Sequence, residues 1–310
     1  MTASITVVLP TFRRPEGLTR ALTALAGQRD LRESWEVLVV DNDDPPGAEP
    51  TFARVAPSLA VPTRLVRERR RGAAAARNAG IAAADGEVIA FLDDDVVPAT
   101  DWLARLVEPI VSERSEGSGG RVRLDPTVSL PRWLGPDWRG YLSEFSRGES
   151  EHEIAAEDYV LSASAAFRTD LLRRIGGFDP ILGPQPGVPM VNDDIDLCRR
   201  AMRSGGHIRY VPDAVVVHEL PRDRLTPTYL LRRTYAQGRS DWLLDRDENE
   251  ARPLGGTRGI LGHLGRLLGD RAREGLWHPD AAMGAALAVS QVGGFLREAA
   301  AHKLRRSSAA

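Results

Sequence analysis

The sequence predicts an α/β protein with a mostly parallel sheet flanked by helices, followed by a helical C-terminal extension. In the first half, short apolar runs alternate with stretches of helical periodicity, a pattern typical of parallel strands joined by crossover helices. After Val217 the chain reads as mostly helical and basic. The length of 310 residues suits one large domain or one domain with an extension.

The individual elements follow in order. Residues 5–9 are an apolar run that predicts the first strand, and Pro15 suits the first position of a helix. Leu18, Leu22 and Leu25 then give that helix one apolar face. Further strands are predicted at 35–40, 63–66 and 88–92, and helices at 73–84 and 101–112.

The middle of the chain is less regular. Residues 112–120 read as a flexible link, residues 121–124 as one more strand, and residues 130–150 as a long surface loop or a small subdomain. Residues 159–168 predict a strand, followed by a helix with Thr169 as its N-cap. A turn-rich loop then leads into "NDDIDLCRR", which opens another helix.

Composition excludes several classes of protein. The formal net charge of -2 gives no indication of nucleic-acid binding. One cysteine, Cys198, excludes a disulfide within the chain and fits a reducing compartment, so we expect a cytoplasmic location. The N-terminus lacks the basic region of a signal peptide. No run of about 20 apolar residues predicts a transmembrane helix.

Three consecutive carboxylates, Asp93 to Asp95, follow the strand at 88–92. In open α/β sheets ligands bind beyond the carboxyl ends of the strands. Two like charges 4 Å apart cost roughly 4 kcal/mol at an effective dielectric of about 20. A bound Mg²⁺ or Mn²⁺ would explain the cluster, because such ions prefer carboxylate oxygens and also hold substrate phosphates. A solvated loop or a helix N-cap is the alternative.

Other polar residues stand at corresponding places. Asp193 and Asp194 lie at the start of a predicted helix, where negative charges interact favourably with the helix dipole. Asp194 could also take a proton from a substrate. Asp41 ends the second strand and could bind a base ring N–H or form an Asx turn. His218 follows a strand and is a metal ligand or a structural residue.

Four motifs, in order, resemble glycosyltransferase family 2, the inverting enzymes with the GT-A fold. They are "VVLPTFRR", "VLVVDNDD", "ARNAGIAAADGEVIAFLDDDVVP", and "GGFDP" followed by "NDDIDLCRR". The resemblance covers about residues 4 to 220. It implies transfer of a sugar from a nucleoside-diphosphate sugar to an acceptor hydroxyl. The Gln-x-x-Arg-Trp motif of processive members is absent, which favours transfer of a single sugar.

The resemblance also implies roles for individual residues. Asp194 would be the general base, with Asp193 as the alternative because the family often has glutamate there. Asp95 would bind Mg²⁺ or Mn²⁺, and His218 would complete the metal site. The nucleotide sugar would be bound by Pro10, Thr11, Arg13, Asp41, Arg77, Asp93 and Asp94.

At the domain level, residues 1–220 would form the catalytic domain. Residues 1–125 would bind the nucleotide and residues 126–220 the acceptor, while 221–310 would form the extension. UDP is the first expectation for the nucleotide, with dTDP and GDP as alternatives. An apolar stripe in the extension suggests a homodimer or contact with the inner face of a membrane, or simply packing within the chain. That stripe comprises Ile260, Leu261, Leu264, Leu267 and Leu268.

Three other functions stay open on the sequence alone. A sugar nucleotidyltransferase would need a Gly-rich phosphate loop where this chain reads "PTFRRPEG". A metal-dependent phosphohydrolase fits Thr11 and Asp41 less well. A non-catalytic nucleotide-sugar-binding protein would not need both Asp95 and Asp194.

Overall fold

The structure is a computed structural model that describes residues 4–184, 190–246 and 279–307. The described residues form two compact units. The first unit contains those within 1–125, 143–186 and 193–219 and carries the whole sheet. The second contains those within 126–142, 187–192 and 220–310.

The first half of the sheet is parallel and confirms the predicted strands. In spatial order β3-β2-β1-β4, every neighbouring pair is parallel. All five residues of β4 are buried, as expected for a strand covered on both faces. The four strands are β1 (Ile5–Thr11), β2 (Trp35–Asp41), β3 (Thr63–Arg67) and β4 (Val88–Leu92).

Helices connect these strands. The leucine face of α1 is buried, at 0–1% exposure for Leu18, Leu22 and Leu25, because the three side chains recur on one side of the helix. The helix at 49–55 has no counterpart among the predicted elements. The helices of this half are α1 (Pro15–Ala26), α2 (Glu49–Val55), α3 (Ala73–Ala83) and α4 (Trp102–Val111).

Beyond β4 the sheet becomes mixed, continuing as β8-β6-β9-β5, with β7 paired to β9. β8 is antiparallel to both β4 and β6, whereas β6 and β9 are parallel. The ranges are β5 (Val96–Pro98), β6 (Gly117–Leu124), β7 (His152–Glu153), β8 (Ser164–Arg168) and β9 (Ile208–His218). Two helices complete this half, α5 (Thr169–Arg174) and α6 (Asp193–Arg203).

Two local predictions were wrong. The glycines at the end of the predicted link belong to β6. They are glycines because neighbouring atoms leave no room for side chains at these positions of the strand. A Cβ on Gly119 would lie 2.2 Å from Val160, and one on Gly120 would lie 2.1 Å from the carbonyl oxygen of Ala214. Thr169 is the first residue of α5 rather than its N-cap, and its hydroxyl donates to the carbonyl of Gly86 at 2.6 Å.

The second unit is helical, as predicted for the extension. It contains α7 (Pro227–Leu244), α8 (Pro279–Ser307) and a 3₁₀ helix, Pro136–Leu142, in the segment predicted as a loop. Within the described residues, no helix is both long and apolar enough to cross a bilayer. The apolar stripe at 260–268 lies outside the described residues, so its predicted contacts with a membrane or a second copy stay predictions.

α7 and α8 pack closely through glycines. A Cβ on Gly294 of α8 would lie 1.9 Å from the carbonyl oxygen of Tyr235, and one on Gly238 of α7 would lie 1.7 Å from that of Gln291. The two helices therefore make backbone contact, which only residues without a side chain permit.

Candidate active site

The predicted polar residues gather where parallel strands end. β1 ends at Thr11, β2 at Asp41, and β4 at the residue before Asp93, and all three strands run in the same direction. Helix α1 lies directly against this edge. A Cβ on Gly17 would lie 2.4 Å from the carbonyl oxygen of Asp94, so glycine is what allows the helix to approach.

Asp94 and Asp95 share one guanidinium group. Arg14 Nη1 lies 3.1 Å from Asp94 Oδ1 and 2.7 Å from Asp95 Oδ2. The Thr11 hydroxyl donates to the other oxygen of Asp94 at 2.8 Å. Burial raises the pKa of Asp94 to about 6. An arginine thus supplies part of the positive charge that the acidic cluster requires.

Arg77 joins the first acidic cluster to the second. Its Nη2 donates to Asp93 at 2.7 Å, and its Nη1 donates to Asp193 at 3.0 Å. The side chains of Arg77 and Asp193 are only 6% and 7% exposed. The guanidinium also lies 5.4 Å from the centre of the Phe178 ring. The structure therefore brings Arg77, Asp93 and Asp193 together.

Asp194 has different surroundings from Asp193. It lies in the first turn of α6, half-buried, and its Oδ1 accepts a hydrogen bond from the backbone N–H of Ser162 at 3.1 Å. Burial, and next the negative charge of Asp193, raise the pKa of Asp194 to about 7. A carboxyl group with a pKa near neutrality can accept a proton and release it again.

Asp95 and His218 meet through β5 and β9. These strands are antiparallel and pair Val96 with His218, which places His218 Nε2 3.4 Å from Asp95 Oδ2. One carboxylate and one imidazole fit a Mg²⁺ or Mn²⁺ site of the kind that substrate phosphates complete. Among the described residues no group of three or more acidic, histidine or cysteine side chains could hold a metal. Arg14 also contacts Asp95 Oδ2, so it would compete with the ion there.

Asp41 is engaged by its own loop. The carboxylate is 1% exposed and accepts hydrogen bonds from the backbone N–H groups of Asp43, Gly47 and Ala48, at 3.0, 2.9 and 2.8 Å. The hydrogen bond from Asp43 N–H to Asp41 forms an Asx turn, which is the alternative role that the sequence analysis gave Asp41. Its contact with a nucleotide base stays a prediction.

The neighbouring loops frame the same edge. Asn42 donates to the carbonyls of Glu68 and Arg70, and its side-chain oxygen accepts from Gly72 N at 2.9 Å. Exposed Arg13 donates to Asp43 at 3.0 Å. Half-buried Pro10 pairs with Val40 across β1 and β2.

The sequence prediction missed Arg14, Asn42 and the backbone N–H of Ser162. Arg14 lies in the "VVLPTFRR" motif beside the predicted Arg13, and this position could have indicated that it belongs to the site. Asn42 likewise follows Asp41 directly. Nothing in the sequence around Ser162 indicates that its N–H contacts Asp194, because that contact depends on the tertiary fold.

Comparison with known proteins identifies relatives. The model of glycosyl transferase family 2 matches residues 6–176, and that of glycosyl transferase family group 2 matches residues 159–297. Pre-mycofactocin glycosyltransferase of Mycobacterium tuberculosis is 30% identical over 271 residues, covering 83% of this chain. The chain spans about half of that relative, 51% of its length. Galactofuranosyltransferase GlfT1 of the same organism is 30% identical over 76% of this chain and 77% of its own.

Solved structures have the same fold. The mannosyltransferase PcManGT of Pyrobaculum calidifontis, in complex with GDP-Man and Mn²⁺, has a TM-score of 0.64 at 20% identity, over 96% of this chain and 87% of its own. TarS of S. aureus (residues 1–349, in complex with UDP) has a TM-score of 0.54 at 16% identity, over 97% and 91%. The GT-A fold is thereby confirmed. Because the first family model matches more than half of the 310 residues, the chain belongs to glycosyl transferase family 2.

Proposed function

We propose that this protein is an inverting glycosyltransferase that moves a single sugar from a nucleoside-diphosphate sugar to an acceptor hydroxyl. The observation that carries the proposal is the pair of unlike carboxylates at the start of α6. Asp193 is ion-paired to Arg77, whereas Asp194 is half-buried with a pKa raised to about 7 by burial. Neighbouring carboxyl groups with different environments are typical of sites where one of them moves a proton.

Asp194 is the general base in this proposal. It removes the proton from the acceptor hydroxyl while that oxygen attacks the anomeric carbon from the face opposite the leaving group. One displacement inverts the configuration at that carbon. Asp193 accepts a hydrogen bond from Arg77 and holds the guanidinium in place.

The donor lies, on this proposal, along the edge formed by Thr11, Asp41 and Asp93 to Asp95. Asp95 and His218 would hold the divalent metal, which when bound neutralises charge developing on the leaving nucleoside diphosphate. Arg14 and Arg77 already face this edge, so their positive charge is available to the diphosphate.

UDP is our first expectation for the nucleotide, with dTDP and GDP as alternatives. The bound UDP of TarS and the bound GDP-Man and Mn²⁺ of PcManGT support a nucleotide-sugar donor and a divalent metal for this fold. We assign residues 1–125 to the donor, 126–220 to the acceptor, and 221–310 to a supporting role rather than to the chemistry.

Release of nucleoside diphosphate from a panel of sugar nucleotides, with Mn²⁺ or Mg²⁺ and with excess chelator, tests the proposal. We expect release to depend on both the metal and an alcohol acceptor. NMR of the glycoside should show the anomeric configuration opposite to that of the donor. Retention would exclude single displacement, and acceptor-independent release of free sugar phosphate would favour a phosphohydrolase.

A further inference from the structure

Residues 177–184, between α5 and α6, are hydrogen-bonded to helix α3 at both ends. Near the start, Asn78 Nδ2 donates to the carbonyl oxygen of Phe178 at 2.8 Å, and Asn78 Oδ1 accepts from Phe178 N at 2.8 Å. At the far end, the carbonyl oxygen of Pro184 accepts from Ala73 N, at the start of α3, at 3.2 Å. We call this segment the α3 cover. The cover, α3 and the whole of α6 belong to the first compact unit.

The α3 cover contacts both members of the buried ion pair between Arg77 and Asp193. The Phe178 ring is 1% exposed, and the Arg77 guanidinium lies over it, 5.4 Å from its centre. The same ring meets that of Phe91 in β4 edge-on, with 5.3 Å between the ring centres. On the other side of the pair, a Cβ on Gly183 would lie 2.6 Å from Asp193 Oδ2. That oxygen is the one that accepts from Arg77 Nη1, so the backbone of the cover passes directly against the carboxylate.

Glycine at position 183 meets two requirements. Its φ of 80° lies in the left-handed region, which glycine enters without steric cost, and it has no side chain to displace Asp193. Gly176 has nearly the same φ, 81°. Apart from its chain neighbours, no atom of the described residues would lie within 4 Å of a Cβ on Gly176. The two glycines therefore share the backbone requirement and differ in what surrounds them.

We propose that the α3 cover is a positioning element for Asp193 and, through it, for the adjacent Asp194. The inference rests on the proposed function of Asp194 as the general base. Both aspartates lie in the first turn of α6. A clash at the Asp193 carboxylate must be relieved by breaking its bond to Arg77 or by moving the turn that contains the base. Misplacement of a reacting group by about 1 Å can cost about 100-fold in rate.

Gly183→Ala and Gly176→Ala form a matched pair of variants. Both place alanine at a φ near 80°, so both introduce similar backbone strain. Only Gly183→Ala adds a methyl group against Asp193. Phe178→Leu is a second variant, because it stays apolar but removes the ring that faces the guanidinium. Phe167→Leu is its control, because it makes the same change at another buried phenylalanine, in β8.

We would measure kcat, donor KM, Tm and hydrogen–deuterium exchange of peptides covering α6 in the four variants. We expect Gly183→Ala to lower kcat about 10- to 100-fold and to speed exchange in the first turn of α6. Its donor KM should stay the same, because Asp93 still holds Arg77. Gly176→Ala should lower Tm and leave kcat and exchange in α6 unchanged.

The second pair of variants tests the arginine side of the cover. Phe178→Leu should lower kcat and also raise donor KM, since Arg77 belongs to the proposed donor site. Phe167→Leu should lower Tm and change neither kinetic constant. Should Gly183→Ala fail to fold, this pair decides, and equal kcat in Phe178→Leu and Phe167→Leu would overturn the inference.

An equal loss of kcat in Gly176→Ala and Gly183→Ala would overturn the inference, since backbone strain would then explain both. Unchanged kcat and unchanged exchange in a folded Gly183→Ala would overturn it as well. A wild-type chain that transfers no sugar, while Gly183→Ala still speeds exchange in α6, would instead defeat the proposed function. That result would leave the α3 cover as a determinant of the position of α6.

Discussion

Asp193 and Asp194 are adjacent in the chain, yet their side chains have different partners. Asp193 lies against the Arg77 guanidinium, with 3.0 Å between Oδ2 and Nη1. Asp194 accepts a hydrogen bond from the backbone N–H of Ser162, and burial raises its pKa to about 7. This difference in environment is the reason for which we propose Asp194, rather than Asp193, as the proton acceptor.

The pH dependence of turnover tests this assignment. A general base acts when deprotonated, so kcat should rise with pH and reach half of its maximum near pH 7, where Asp194 titrates. Asp194→Asn should lower kcat by about 100- to 10,000-fold and leave donor binding nearly unchanged. Stopped assays across about two pH units on either side, with donor binding by calorimetry, provide the measurement.

The matched variant is Asp193→Asn. It leaves Arg77 with one buried partner fewer, and breaking a buried pair costs about 3–5 kcal/mol of folding stability. A flat pH profile, or full loss of turnover in Asp193→Asn with an active Asp194→Asn, would move the base to Asp193.

The same pKa shift has a cost in stability. Because the folded state holds the Asp194 proton more tightly than the unfolded chain between the ordinary value of 3.8 and about 7, this group's contribution to stability falls as pH rises through that window.

At the scale of elements, glycines decide how closely α7 and α8 approach. Gly293 and Gly294 are adjacent on α8 but face different surroundings. A Cβ on Gly294 would lie 1.9 Å from a backbone oxygen of α7, whereas the nearest atom to a Cβ on Gly293 would be the Tyr235 ring at 3.8 Å. Substitution of Gly294 therefore tests the close approach of the helices, and substitution of the adjacent Gly293 is its control.

Gly294→Ala should destabilise the protein by about 1–3 kcal/mol, because the added methyl group forces the helices apart. Gly293→Ala should be neutral or stabilising by up to about 1 kcal/mol, since alanine is the better helix former. Urea unfolding of both variants gives the comparison. Equal effects of the two substitutions would show that the helices do not cross where the structure has them.

Elements with a strong local pattern could be predicted from the sequence, and elements made by pairing could not. The leucine period of α1 and the apolar run of β4 are local signals. β5 has only three residues and exists through its pairing with β9. Gly119 and Gly120 read as a link because their role depends on Val160 and Ala214, which are distant in sequence. The site motifs are local in the sequence and could be recognised. The partner of each carboxylate depends on residues distant in sequence and could not be predicted.

At the scale of the whole molecule, the acidic edge is balanced by the protein's own arginines. Arg14 contacts Asp94 and Asp95, and Arg77 contacts Asp93 and Asp193. On the function that we propose, a metal–nucleotide complex would bring both a cation and an anion to this edge. The carboxylates can then turn to the metal and the guanidinium groups to the diphosphate. Neither ligand alone offers both exchanges, so we expect the two to bind together.

Thermal unfolding with UDP, GDP or dTDP, each with and without Mn²⁺, tests this expectation. Ligand at about 100 times its Kd stabilises the native state by ~2.7 kcal/mol, which corresponds to a rise of several degrees in Tm. We expect that rise for one nucleotide only when metal is present. Asp95→Asn should abolish the metal dependence, whereas Asp101→Asn, on a largely exposed pair with Arg105, should retain it. Equal shifts with chelator would contradict the metal site.

The pairing of β5 with β9 also bears on the order in which the protein is completed during synthesis. Domains tend to fold from the N-terminus as the ribosome releases them. Arg14 and the three aspartates leave the ribosome early, but His218 is the last residue of β9, the final strand in chain order among the described residues. On this order of synthesis, Arg14 is available to pair with Asp95 before His218 has been made. We therefore expect the metal site that we propose at Asp95 and His218 to bind its ion only after β9 has joined the sheet.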